Sequence, residues 1–275
     1  MKPGLYFDIS FESYVKIPAI NNSILKILTD QSPAHCKYYI DHGRESTKAL
    51  AFGSAADCYI LEPTLFAKKY VTGPDARRNS KEWKEFAATV PEGMEILKPD
   101  DMADIISIYN KISGSHAMRL LEGGVSQVVA IWIDEITGLK CKSRMDYLNE
   151  SIPMITDLKT TKSANPELFA KDIYKYKYYQ QAAFYIDGYI AATKCEHDCC
   201  FAFFAVEKTG PFVHSALELG PKSIEAGRIS YRKAIDEYAK CLKEDKWPQY
   251  LEQISMIEMP KWALEFAGLG QHNLM

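Results

Sequence analysis

The stretch L-K-C-K-S-R-M-D-Y-L-N-E-S-I-P-M-I-T-D-L-K-T-T, residues 139–161, decides how this chain is to be read. Residues 139–148 and 152–161 each carry a strand-like run, and the intervening N-E-S-I-P supplies residue types that favour a tight reversal. An antiparallel hairpin centred between Ser151 and Ile152 sets Asp146 opposite Asp157. Opposed residues share a sheet face, and so do residues two apart on one strand. Asp146, Asp157 and Lys159 are therefore expected to point the same way. The competing reading is a solvated Asp157/Lys159 pair on an edge strand, since D-x-K is common by chance.

Two carboxylates side by side repel, and burying them together is costly unless positive charge sits between them. A hard divalent cation meets that need. Mg²⁺ takes oxygen ligands, keeps several waters and is held by one or two carboxylates plus substrate phosphate. Such an ion activates water and stabilises the leaving oxygen of a phosphodiester. Lys159 beside it would orient the nucleophile and stabilise transition-state charge.

Residues 166–192 read as one helix, with Asn165 as its cap and Pro166 in its first turn. Tyr178, Gln181 and Tyr185, spaced by three and four, share a face of that helix. Two tyrosines at this spacing are ordinary packing. The glutamine between them is not, and it suits a helix laid against a strand-borne site, where Gln and Tyr bind phosphate or hold the attacking water.

The series R-M-D146, D157-L-K159-T-T and Y178-Y-Q-Q181-A-A-F-Y185 resembles the PD-(D/E)XK nuclease superfamily, and within it the RecE, exonuclease VIII-type catalytic domain of bacteria and prophages. The likeness extends to N21-N22-S23-I-L-K26, S32-P33-A34-H35, F52-G53-S54-A55 and L61-E62-P63, so it covers nearly the whole chain. It implies an α/β, restriction-endonuclease-like core, a central mixed sheet flanked by helices, with N-terminal helical additions. It also implies metal ligation by Asp146, Asp157 and the Leu158 carbonyl, a catalytic Lys159, and Gln181 and Tyr185 as the helix-borne pair. One position departs from the pattern. Asp57 stands where the family usually has a histidine. As a hard oxygen donor it suits Mg²⁺ at least as well as imidazole, directly or through water; the other reading is a vacant position and reduced activity.

With 275 residues, 47% of them hydrophobic, the chain has enough apolar material for a large core. No run of eighteen apolar residues is present, which argues against a membrane span. The opening M-K-P-G-L-Y-F-D lacks the apolar stretch of a signal peptide. A cytoplasmic setting, in a bacterial or phage-infected cell, is the expectation. The net charge of −3 means that any DNA-binding surface must concentrate its basic groups. Candidates are Arg77 and Arg78, the Lys140/Lys142/Arg144 strand face, and Lys171, Lys175 and Lys177 leading to Tyr178. Cys36, Cys58, Cys141 and Cys241 read as reduced core residues. Cys195, His197, Cys199 and Cys200 resemble a fragment of a metal site, but their spacing does not match the nuclease iron–sulfur cluster, and adjacent Cys199 and Cys200 cannot easily ligate one ion.

One domain is expected: 1–124 mainly helical, 125–220 the core sheet and Gln/Tyr helix, 221–275 a final helix and tail. Helices are expected over 22–42 with a break at Ser32-Pro33, and over 81–88, 101–122 and 221–246. Strands are expected over 125–134, 200–207 and 212–219. Residues 72–80 read as a mobile loop whose Arg77 and Arg78 would hold a DNA end or its 5′ phosphate. The apolar tail after Pro260 would dock on the domain or on a neighbouring subunit. The function expected is a Mg²⁺-dependent exodeoxyribonuclease, with Mn²⁺ as substitute, degrading linear double-stranded DNA 5′→3′. Resemblance further implies a ring-shaped homo-oligomer, a trimer or tetramer, and a single-strand annealing partner of the RecT type. The rivals are a single-strand or structure-specific nuclease and a catalytically weakened DNA-binding protein on the same scaffold.

Overall fold

The computed structural model describes residues 1–43 and 47–269. The chain opens with β1 (Gly4–Tyr6) and three short helices, α1 (Phe11–Lys16), α2 (Asn22–Asp30) and α3 (Pro33–His42). Next come α4 (Lys48–Leu61), α5 (Pro63–Lys69), β2 (Tyr70–Thr72), α6 (Lys81–Ala87), β3 (Glu95–Leu97) and α7 (Pro99–Ser113). A 3₁₀ helix (His116–Leu121) leads into three consecutive strands, β4 (Val125–Ile133), β5 (Lys140–Asn149) and β6 (Met154–Thr161). Two helices follow, α8 (Pro166–Lys175) and α9 (Tyr178–Thr193), then β7 (Cys200–Glu207), β8 (His214–Glu218), α10 (Pro221–Glu244) and α11 (Lys261–Phe266).

The main sheet has the order β1-β4-β5-β6-β7-β8, with β6 and β7 parallel and the other neighbours antiparallel. It is the expected α/β mixed sheet flanked by helices. The parallel pair needs a crossover, which α8 and α9 provide. Alternation along β7 sorts the core: Phe201, Phe203 and Ala205 join α9 and α10 on one face, while Phe204 and Val206 join Ile60, Ile108 and Ile112 on the other. Close helix packing requires Gly227, because a Cβ there would lie 2.1 Å from the Tyr179 carbonyl oxygen. Side-chain bonds then fasten α10. Arg228 donates to both Asp187 oxygens at 3.0–3.2 Å, and Arg232 to both Asp134 oxygens at 2.7 and 3.0 Å.

Four expectations change. The helix expected over 166–192 is two, because Lys177 takes a left-handed backbone (φ 58°) and turns the chain between α8 and α9. The helix expected over 101–122 ends at Ser113, before the 3₁₀ helix. Lys142 is not on a DNA-facing strand surface. It is 3% exposed, and its ammonium donates to the carbonyls of Tyr14, Val15 and Ile17 at 2.8–3.1 Å, closing the C-terminal end of α1. Of the two expectations for the tail after Pro260, docking on its own domain is not seen, since Trp262 and Phe266 stay exposed, and residues 270–275 lie outside the described part. Cys200 begins β7 as expected, and no disulfide joins the cysteines among the described residues. No helix among the described residues is long and apolar enough to cross a membrane.

Candidate active site

The hairpin forms in the expected register, with Leu148 opposite Ile155 and Tyr147 opposite Thr156. Its ladder stops there, one pair short of Asp146 and Asp157. Beyond that point β5 keeps β4 as partner and β6 keeps β7, so the two strands separate at the acids. The Leu158 N–H turns to the Asp146 carboxylate instead, at 3.0 Å. The separation leaves room between central strands, which is where a buried polar site has space to form. It also rules out an edge pair. Asp157 is 1% exposed on a strand paired on both sides.

Five further groups gather around these acids. The Lys159 ammonium pairs directly with one Asp157 oxygen, and Gln181 from α9 donates to the other at 2.6 Å. The Lys159 ammonium also lies 4.9 Å from the centre of the Tyr178 ring. Tyr185 lies near Gln181, with Asp157 and Asp146 close enough to act on its phenol. From α4, which contacts both β5 and β6, Asp57 feels Asp146, Lys159 and Asp157. The Leu158 side chain packs with Ile60 and Ile108 on the opposite sheet face, so only its backbone belongs to the site.

The electrostatics follow from three carboxyls around one ammonium, Asp157 buried and Asp57 and Asp146 half-buried. Asp57 is raised well above the usual carboxyl range, first by burial and then by Asp146, with Asp157 adding to it and Lys159 opposing. Asp146 is pushed up to about 7, by burial and then by Asp157. Burial alone would lower Lys159, but the charges of Asp157 and Asp146 more than reverse that and hold it protonated. Burial also raises Tyr185 well above its ordinary value, so its phenol stays neutral and able to donate.

The donor set therefore suits a hard cation. All three acids offer oxygen, they outnumber the one ammonium, and Asp57 Oδ1 is a buried atom with no hydrogen-bond partner. Among the described residues no three acidic, His or Cys side chains are drawn together as a closed metal shell, and the cation facing Asp157 is Lys159.

The expected DNA-binding residues divide. Arg144 sits at the rim, 3.7 Å from Glu62 and with its guanidinium over the Phe11 ring, and its charge reaches Asp146. Lys175 and Lys177 flank the turn that leads to Tyr178, Lys177 lying 3.7 Å from Asp30. Arg77 and Arg78 remain exposed between β2 and α6; Arg78 lies over Trp83, and neither bonds to a site residue. Sequence reasoning missed two members. Glu62 appeared only as part of a matching tripeptide, although it anchors Arg144. Tyr14, buried on α1 and close to Tyr185, lies in a stretch for which the sequence set no expectation.

Comparison with known proteins agrees with this architecture. No curated protein matches the chain. A candidate exonuclease from Eubacterium rectale has a similar solved structure, with a TM-score of 0.66 over 95% of this chain and 98% of that one, at 14% identity. That identity makes the likeness one of fold. The structure of SSO0001 is more remote, with a TM-score of 0.36 over 81% of each chain at 11% identity, and carries no argument. The family model described as "PDDEXK-like domain of unknown function (DUF3799)" matches residues 22–260. With that span matched and the two strand acids and lysine on one face of its central sheet, the chain belongs to this PDDEXK-like family.

Proposed function

We propose that this chain is a Mg²⁺-dependent exodeoxyribonuclease that degrades linear double-stranded DNA from the 5′ end. The observation that carries the reading is the convergence of Asp146, Asp157 and Lys159 where β5 and β6 separate, with Gln181 bonded to Asp157 and the half-buried Asp57 close enough to feel all three. The family match supports a nuclease.

Asp146, Asp157 and the Leu158 carbonyl would hold Mg²⁺ or Mn²⁺, with Asp57 as a further oxygen donor. The ion supplies a water of lowered pKa and charge stabilisation at the phosphate. The protein's own groups do the rest. Lys159, held protonated, stabilises the negative charge that grows on the phosphate oxygens. Gln181 fixes the Asp157 carboxylate, keeping one rotamer pointed into the site. Tyr185 offers a neutral phenol as hydrogen-bond donor, and Arg144 at the rim offers a fork-shaped cation for a neighbouring phosphate.

Polarity, a ring-shaped trimer or tetramer, an annealing protein of the RecT type and a role in recombination belong to the same proposal by resemblance. Digesting 5′-phosphorylated linear duplex labelled separately at each end, beside a covalently closed circle, tests it. Early release of the 5′ label with the circle spared is expected. Cutting of the circle would identify an endonuclease, and preferential loss of single-stranded substrate would favour the single-strand reading.

A further inference from the structure

The turn between α8 and α9 carries the sequence Y-K-Y-K-Y-Y over residues 174–179, four aromatic rings interleaved with two lysines. The left-handed Lys177 makes this turn and presents both sets of side chains at one corner. Tyr174 is 71% exposed and Tyr176 39%. Their rings are arranged in two layers. Tyr174 stacks on Tyr179, 6.3 Å between centroids and 8° from parallel, and Tyr176 lies 5.6 Å from Tyr178. Cations are distributed along both: Lys177 over Tyr174 and Tyr179, Lys175 and Lys26 over Tyr176. Tyr178 then connects the corner to the site, because its ring lies under the Lys159 ammonium. On the far side the corner opens on a cleft of about 400 Å³ between α2, α9 and α10, lined by Lys177, Tyr179 and Lys233 among others.

We propose that this corner is a stacking platform that holds unpaired nucleotides of a DNA strand at the mouth of the site. The proposal rests on the nuclease reading above and adds a substrate feature to it. Exposed aromatic faces accept any base, and flanking lysines follow the phosphates, which is how single strands are gripped without sequence preference. An apolar partner would find the rings fenced by ammonium groups. A purely acidic partner would leave the rings without purpose. The unpaired strand satisfies both, and the line from Tyr176 through Tyr178 to Lys159 leads it to the acids. Asp30 partly offsets Lys177, so Lys175 carries more of the phosphate attraction than Lys177 does.

The test is fluorescence anisotropy of a labelled oligothymidylate strand and of a blunt duplex, in EDTA so that nothing is cut, with the full chain and Tyr174→Ala/Tyr176→Ala. Both rings are at the surface, so the double variant is expected to melt like the parent. Single-strand affinity should fall roughly 10-fold or more, blunt-duplex affinity should change little, and Tyr174→Trp/Tyr176→Trp should retain binding. A parent chain that does not bind the single strand, an unchanged affinity in the alanine variant, or an equal loss on both probes would each overturn the platform. Cleavage in Mg²⁺ is scored separately on the same proteins. An inactive parent that still shows the selective binding loss would sink the nuclease reading and leave the platform standing.

Discussion

The Asp146 carboxyl is pushed up to about 7, first by burial and then by Asp157, with Lys159 and the Leu158 N–H opposing. A folded acid held above its model value of 3.8 keeps a proton that the unfolded chain sheds. Its contribution to stability is fully present below about 3.8 and is lost as pH rises through about 7. A divalent ion needs the carboxylate, so it displaces that proton, and its affinity should rise across the same window. Calorimetry in buffers of different ionisation enthalpy should show proton release on Mg²⁺ binding near pH 6 and little near pH 8. Asp146→Asn should lose both binding and release. Proton-independent binding at the lower pH would contradict the assignment. At this scale the sequence was informative where geometry is local: a hairpin centre and a period of two sufficed for Asp146, Asp157 and Lys159. It was silent on Asp57, whose meeting with the strand acids depends on how α4 lies against the sheet, and only the family pattern singled it out.

Among the elements, β5 does two jobs through alternate ends of one face. Asp146 serves the site, while Lys142 four residues earlier caps α1. Replacing Lys142 by Met removes its three hydrogen bonds, leaving Tyr14 only the Ile17 N–H and the Val15 and Ile17 carbonyls without that donor, and should cost about 2–3 kcal/mol, given what a hydrogen bond to a charged group contributes. A thermal melt should show the loss as a drop of roughly 4–12 °C, since about 2–4 °C accompanies each kcal/mol in larger domains. An unchanged melting temperature would mean that the ammonium does not hold the helix. Gly227→Ala should also destabilise, by about 1–3 kcal/mol, because α10 must move off the Tyr179 carbonyl to admit a methyl group. Both features explain what the sequence hid. Lys140, Lys142 and Arg144 alternate as a solvated strand face would, and the carbonyls that bind Lys142 lie 125 to 128 residues away. The α8–α9 break was equally hidden, since a left-handed lysine replaces the Gly or Asn that usually marks such a turn. Strands β4 and β7 were legible, being apolar runs bounded by turn residues.

For the whole molecule, the unsettled surface is the C-terminal segment. Ile254, Met256, Ile257 and Phe266 are each at least 90% exposed, more apolar surface than one chain covers by itself. This exposure favours the proposed homo-oligomer, with the segment docked on a second copy. Light scattering coupled to gel filtration should give a trimer or tetramer, and Ile257→Asp/Phe266→Ser should shift it to monomer. A monomeric parent would remove the ring from the account without touching the site. With a net charge of −3, the proposed DNA binding would rest on local attraction at Arg144 and the α8–α9 corner, and it should weaken with salt according to those few contacts. The measurement that bears most directly on the central claim is digestion of linear duplex in Mg²⁺ by the parent chain and by Lys159→Ala, each checked for an unchanged melting temperature. Cleavage by the parent and a loss of at least about 100-fold in the folded variant are expected. Equal cleavage by both proteins, or none by the parent in either Mg²⁺ or Mn²⁺, would contradict that claim.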